Sequence, residues 1–130
     1  MLILALRTDK PEAELYLYDR QKKLAVLKWQ ANLKLAETLN KQLKNILNKS
    51  SISLNDLQGI AIYKGPGSFT GLRIGMSIAN ALAYSQSIPI VAKNGDDWIK
   101  MAIKGLISGQ SDKLATPEYG APVRVTKPKK

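Results

Sequence analysis

Runs of apolar residues, and their alternation with polar ones, predict five strands along the chain. Residues 2–6 are uninterruptedly apolar, a pattern typical of a central strand that is covered on both faces. Residues 12–19 alternate between apolar and polar side chains, which predicts a half-buried strand. Three further strands are predicted at residues 23–29, 58–63 and 88–91.

Three longer stretches have helical periodicity. Residues 32–48 place leucine and isoleucine along one stripe, with lysine, threonine and asparagine outside it, as in a helix that packs on a sheet. A second helix is predicted at residues 72–84, and a third at residues 97–107 after a cap at Asn94 or Asp96. The resulting order β-β-β-α-β-α-β-α predicts one α/β domain, which is what 130 residues have room for.

The second helix carries a ridge of small residues at four-residue spacing, namely Gly71, Gly75, Ala79 and Ala83. A ridge with almost no side chains lets another backbone approach closely. Larger apolar residues lie beside this ridge, and the remaining polar strip is narrow. An ordinary surface helix buries one stripe only. We therefore expect the second helix to be covered twice, by its own sheet and by either more of this chain or a partner.

A glycine-rich turn joins the fourth strand to the second helix, with the sequence GPGSFTGLRIG at residues 65–75. Consecutive N–H groups at a helix N-terminus can bind phosphate. The spacing matches neither a Walker A loop nor a dinucleotide-binding motif, and from spacing alone a turn whose glycines serve packing is favoured. The candidate phosphate- or nucleotide-adjacent residues are Gly65, Gly67, Ser68, Thr70 and Gly71, of which Ser68 and Thr70 can also cap the helix.

The charge and the missing residue types limit the partners and the catalytic groups that this chain can have. The net charge is +10, from 20 Lys and Arg against 10 Asp and Glu, which favours contact with polyanions such as tRNA. The absence of cysteine and histidine excludes disulfides, thiolate chemistry and histidine general bases or metal ligands. No apolar run approaches the ~20 residues of a membrane helix. We therefore predict a soluble cytoplasmic protein with no metal site and no catalytic residues.

The run GPGSFTGLRIG closely resembles the signature of the TsaB family, also called YeaZ. The resemblance implies an actin/ribonuclease-H-like (ASKHA) fold with a five-stranded mixed sheet in the order 3-2-1-4-5, flanked by helices. It also implies a non-catalytic dimerisation and scaffold subunit of the machinery that forms threonylcarbamoyladenosine in tRNA. The implied partners are a TsaD-like catalytic subunit, a TsaE-like ATPase and, through the complex, tRNA. A homodimer, and ATP or ADP at a subunit interface, are left open.

The resemblance covers residues 1–107 and is not complete. We assign residues 1–110 to one TsaB-like domain and residues 111–130 to a basic, proline-containing tail that is flexible by composition. The second subdomain of the family has almost no counterpart here. TsaB-like chains usually read Asp-Thr at the end of the first strand, where this sequence reads Arg7-Thr8. Asp9 lies two positions further on and is expected to face away from the position of that aspartate. It is therefore a poor substitute, which disfavours ATP hydrolysis.

The family resemblance implies that the first two helices pair with helices of the catalytic partner. The residues predicted to bind that partner are Leu39, Leu43, Leu72, Arg73, Met76, Ala79 and Ala83. Two alternatives remain: a minimal actin-fold protein that binds ATP at the glycine-rich turn, and an RNA-binding module that acts through its charge.

Overall fold

The computed structural model describes residues 1–118, which form five strands and three α-helices. Two single-turn 3-10 helices, Asn32–Lys34 and Leu54–Asp56, precede α1 and β4. The elements in chain order are β1 (Leu2–Arg7), β2 (Glu12–Asp19), β3 (Lys22–Gln30), α1 (Leu35–Lys49), β4 (Gly59–Tyr63), α2 (Phe69–Gln86), β5 (Ile90–Lys93) and α3 (Trp98–Ile107).

The five strands form one mixed sheet in the order β3-β2-β1-β4-β5, which confirms the predicted order. β1 pairs with β2 in antiparallel fashion, and β2 pairs with β3 in the same way. β1, β4 and β5 are parallel. β1 therefore lies at the centre, and its residues 3–6 are fully buried, as expected for a strand covered on both faces.

Helices cover both faces of the sheet. α1 and α2 pack on the face that carries Leu4 and Leu6, where they form the larger hydrophobic core. α3 packs on the opposite face, over β4 and β5. There the ring of Trp98 stands edge-on to the rings of Tyr16 and Tyr63. Within residues 1–118, no helix is both long enough and apolar enough to cross a membrane.

Local hydrogen bonds explain where the elements depart from the predicted boundaries. α2 begins at Phe69, three residues earlier than predicted, because the Ser68 hydroxyl caps it by accepting the Gly71 N–H at 3.2 Å. β5 begins at Ile90 because the N–H of Ile88 still donates to the Ala83 carbonyl at 2.9 Å. α1 begins at Leu35, after the 3-10 turn.

The ridge of small residues on α2 lies against the end of β1. The Thr8 hydroxyl donates to the Gly71 carbonyl at 2.8 Å. A Cβ atom on Gly71 would overlap the Thr8 carbonyl oxygen, and one on Gly75 would overlap the Thr8 Oγ1 atom. The close backbone approach predicted from the spacing is therefore made by this chain's own first strand.

The first part of the predicted tail is bonded to the domain. Residues 111–118, which we call the strap, run along the outer edge of β5 and past the end of β4. Their contacts include hydrogen bonds from Ala115 to Asn80 and from Glu118 to the Lys64 carbonyl. Residues 119–130 of the predicted tail lie outside the described residues, and the domain boundary at residue 110 stays a prediction.

Replacement of Gly75 by alanine is expected to destabilise the fold by about 1–3 kcal/mol, the usual cost of overpacking. Elsewhere in a helix this change is favourable by about 1 kcal/mol. Gly105→Ala in α3 is the matched control, because the atom nearest to the added Cβ is at the end of the flexible Gln110 side chain. Urea denaturation measures both free energies of unfolding.

Thr8→Ala in the Gly75→Ala background should recover part of the loss, since it removes the overlapping hydroxyl. If Gly75→Ala stabilised the chain as much as Gly105→Ala, the contact between β1 and α2 would be absent in solution.

Candidate partner-binding site

The signature turn, residues 65–71, is fastened to the segment that follows β1. The N–H of Ser68 donates to the Asp9 carbonyl at 2.8 Å. The hydroxyl of Tyr63, the last residue of β4, donates to the Pro66 carbonyl at 3.1 Å. Together with the Ser68 cap, these bonds hold the turn between the two central strands.

The three glycines of this turn make room for atoms of the same chain. A Cβ on Gly67 would overlap the Cβ of Asp9, and a Cβ on Gly65 would overlap the Glu118 carbonyl oxygen. Gly65 also has a φ of 113°, a backbone conformation that favours glycine. The carbonyl oxygen of Thr8 occupies the space where Gly71 has no Cβ. These contacts support the packing interpretation, and a nucleotide beside the turn stays a prediction.

Asp9, which the sequence offers only as a poor substitute for the aspartate missing from the end of β1, is paired within the chain. Its carboxylate lies against Gly67 and forms a two-point ion pair with Arg7, with Nε–Oδ1 at 2.8 Å and Nη2–Oδ2 at 3.2 Å. The hydrogen bond to Asp9 raises the pKa of Arg7. The Arg7 guanidinium also lies 4.0 Å from the centre of the Tyr63 ring. An internal cation thus neutralises the carboxylate nearest the turn.

The buried carboxylate of Glu14 is also fully engaged. It accepts a hydrogen bond from the Tyr16 hydroxyl at 2.5 Å and pairs with the Lys10 ammonium at 2.9 Å. Burial raises the pKa of Glu14, but the bonds to Tyr16 and Lys10 outweigh it and hold this pKa below its ordinary value. Burial and the bond to Glu14 raise the pKa of Tyr16. This pair stays ionised Glu and neutral Tyr at neutral pH, which suits a structural role.

Neither carboxylate has the surroundings of a metal ligand or a general acid. Across residues 1–118, no three Asp or Glu side chains are grouped closely enough to hold a metal ion. Arg7, the last residue of β1, is paired with Asp9 and lies over the ring of Tyr63.

The structure corrects the choice of partner-binding residues. Arg73 alone among the seven is exposed. The other six belong to the hydrophobic cores of this chain, because the leucine stripe of α1 and the Leu72 side of α2 both face the sheet. The buried candidates are Leu39, Leu43, Leu72, Met76, Ala79 and Ala83.

The surface between the first two helices is instead a groove beside Arg73. This α1–α2 groove has a volume of about 400 Å³. It adjoins a second hollow of about 450 Å³ that reaches the fully exposed Leu33. The Arg73 guanidinium lies 5.4 Å from the centre of the Phe69 ring at one rim. The groove is lined by Ala36, Phe69, Thr70, Arg73, Ile74, Ser77 and Ile78.

Ile74 and Ile78 are the groove residues that sequence reasoning recognised as apolar but did not select. Both are half-buried in this chain. They occupy the side of α2 that turns from the sheet toward α1, one step of about 100° from the small-residue ridge. Both isoleucines pack in part against this chain's own hydrophobic core, and their remaining exposed surface is the apolar part of the groove.

Comparison with known families agrees with the signature. Residues 29–103 match the family model described as "TsaD: tRNA N6-adenosine threonylcarbamoyltransferase". The TsaB biosynthesis protein of Buchnera aphidicola from Schizaphis graminum is 36% identical over 91 residues, which are 68% of this chain and 42% of that protein. A tRNA N6-adenosine threonylcarbamoyltransferase of Geotalea uraniireducens is 38% identical over 64 residues, 49% of this chain and 19% of that enzyme.

A solved structure shares the fold. YeaZ from Pseudomonas aeruginosa superposes with a TM-score of 0.67 at 26% identity, over 72% of this chain and 43% of that one. The chain thus spans less than half the length of these relatives. The strand order, the signature turn and a family model that covers more than half of the residues all agree. The chain therefore belongs to the TsaD-related family, within its TsaB (YeaZ) group, and has the actin/ribonuclease-H-like fold.

Proposed function

We propose that this chain acts in the biosynthesis of threonylcarbamoyladenosine in tRNA as a non-catalytic subunit, and that it binds a TsaD-like catalytic subunit through the α1–α2 groove. The relatives carry the first half of the proposal, because they are named as proteins or transferases of this modification. The observation that supports the second half is the apolar groove beside the signature turn.

A non-catalytic role agrees with the state of the charged groups near the turn. Asp9 is paired with Arg7, and Glu14 with Lys10 and Tyr16. A general acid or base needs a proton that it can exchange with a substrate. Side chains that are already satisfied inside the chain are poor candidates for that work, and the sequence has no histidine. We place the transfer chemistry in the partner.

The groove also suggests what the partner's surface is like. Its floor is formed by Ile74 and Ile78, so the partner should insert an apolar ridge, such as one face of a helix. The exposed guanidinium of Arg73 at the rim calls for a carboxylate on the facing surface. A TsaE-like ATPase and tRNA would join through the complex, and a second copy of this chain is the competing occupant when the partner is absent.

Charge reversal at the rim is expected to weaken the heterodimer. Arg73→Glu should lower the affinity for a TsaD-like subunit at least about 10-fold, since it places like charges together. Lys100→Glu is the matched control, because it makes the same change in net charge at an exposed position of α3, on the other side of the sheet. Isothermal titration calorimetry measures both affinities.

A steric variant gives a second measurement on the same surface. Ser77 is exposed and lines the groove, so Ser77→Trp should block docking without disturbing the core. Separate elution of the wild-type chain and the TsaD-like subunit at micromolar concentration would contradict the proposal. Equal losses for Arg73→Glu and Lys100→Glu would exclude the groove as the docking site.

The isolated chain is not expected to bind ATP or ADP, and we propose that any nucleotide lies at the subunit junction near Ser68 and Arg73. The reason is that the glycines of the turn are filled by Asp9, Thr8 and Glu118. Calorimetric titration with ATP should give no binding heat for the chain alone. Micromolar binding that is lost on Ser68→Ala would support the alternative of an ATP-binding module instead.

A further inference from the structure

The strap lies in a groove that recognises peptide backbone. Asn80, in the middle of α2, faces Ala115 with both groups of its side-chain amide. Its Nδ2 donates to the Ala115 carbonyl at 2.9 Å, and its Oδ1 accepts the Ala115 N–H at 2.8 Å. A neighbouring strand would pair with the residue in the same way. This contact therefore selects for extended backbone and is independent of the side chain.

The outer edge of β5 supplies the second contact. The N–H of Asp112 donates to the Ile90 carbonyl at 2.8 Å, and the Asp112 carboxylate accepts the Ala92 N–H at 2.8 Å. β5 is an edge strand, and an edge strand presents backbone groups that can pair with another chain. Here the Asp112 carboxylate accepts the N–H of Ala92, which would otherwise have no partner on this edge of the sheet.

The third contact lies at the end of the sheet, beside the signature turn. The N–H of Glu118 donates to the Lys64 carbonyl at 2.6 Å. The Glu118 carboxylate accepts from the Asn94 side chain at 3.2 Å and lies 3.7 Å from the Lys64 ammonium. The groove thus contacts an acid at Asp112, a small residue at Ala115 and a second acid at Glu118, each three positions after the one before. Ala115 is only 4% exposed, so the middle position has no room for a large side chain.

We propose that this groove, formed by α2, the outer edge of β5 and Lys64, is a binding site for an extended peptide with the pattern acid-x-x-small-x-x-acid. The strap fills the site in cis as a displaceable segment. In trans, the ligand is a second polypeptide that carries the same pattern. This site is separate from the α1–α2 groove, and it stands whether or not the proposed function holds.

Displacement of the strap requires that it bury little apolar surface. Ala115 is its only fully buried apolar side chain, whereas Leu114 is mostly exposed. An open surface depression is lined in part by Ser111 and Lys113, where the strap begins. The gain from a few partly exposed hydrogen bonds is close to the entropy lost in ordering such a segment. Segments of this kind open locally while the rest of the domain stays folded.

A peptide-binding experiment tests the proposal on the full chain. The probe is a fluorescein-labelled peptide with the sequence of residues 110–118, and its anisotropy is followed as chain is added. Ala115→Trp in the chain should prevent the cis strap from docking and so empty the site. The peptide should bind this variant at least about 10-fold more tightly than it binds the wild type, because the tethered strap competes at a high effective concentration.

Two controls define specificity. Asn80→Ala added to the Ala115→Trp chain should abolish binding, since it removes both backbone contacts. A peptide that itself carries Ala115→Trp should not bind. If the peptide fails to bind an Ala115→Trp chain that is folded by circular dichroism, or if both peptides bind equally, the proposal is overturned.

Hydrogen exchange of the wild-type chain keeps the proposal testable if Ala115→Trp does not fold. The amides of Asp112, Ala115 and Glu118 should be protected relative to a free peptide, yet exchange at least about 100-fold faster than those of β1. Asn80→Ala should speed exchange in the strap alone. Strap amides that exchange only through global unfolding, or that show no protection, would overturn it.

Discussion

Thr8, at the end of β1, rests directly on the backbone of α2, and the rest of the structure depends on this contact. The hydroxyl of Thr8 is bonded to the Gly71 carbonyl, and its side chain fills the space where Gly75 has no Cβ. The contact fixes the distance and the rotation of α2 on the sheet. As a result Leu72 and Met76 point into the cores, while Ile74 and Ile78 turn toward α1 and line the groove.

The same constraint explains the signature turn. Its glycines make room for Asp9, Glu118 and Thr8, so the motif serves to bring the ends of β1, β4 and the strap together. Arg7 then neutralises the carboxylate of Asp9. What remains for interaction is surface: an apolar groove on one flank of α2 and, on the other flank, a backbone-binding groove that the chain fills itself.

Much of the fold could be predicted from the sequence because strand patterns and the family signature agree. The spacing of Gly71 and Gly75 predicted the close approach correctly. The choice of Leu72 and Met76 as contact residues was wrong because periodicity identifies apolar faces without showing which face meets the chain's own sheet. The contact of Asp9 with Gly67 could not be predicted, because the two residues are far apart in sequence. The strap was predicted to be a flexible tail because of its composition. Its docking depends on the contact between Asn80 and Ala115, which are 35 residues apart, and no local sequence pattern indicates that contact.

The contact with Thr8 commits one side of α2 to the interior, and we propose that it leaves the Ile74 and Ile78 side for another protein. Side-chain footprinting by hydroxyl radicals, on the chain alone and mixed with a TsaD-like subunit, tests it most directly. We expect Ile74 and Ile78 to be labelled in the free chain and protected in the mixture, while the exposed Val26 on β3 is labelled equally in both. Unchanged labelling of the two isoleucines, or protection at Val26 instead, would contradict it.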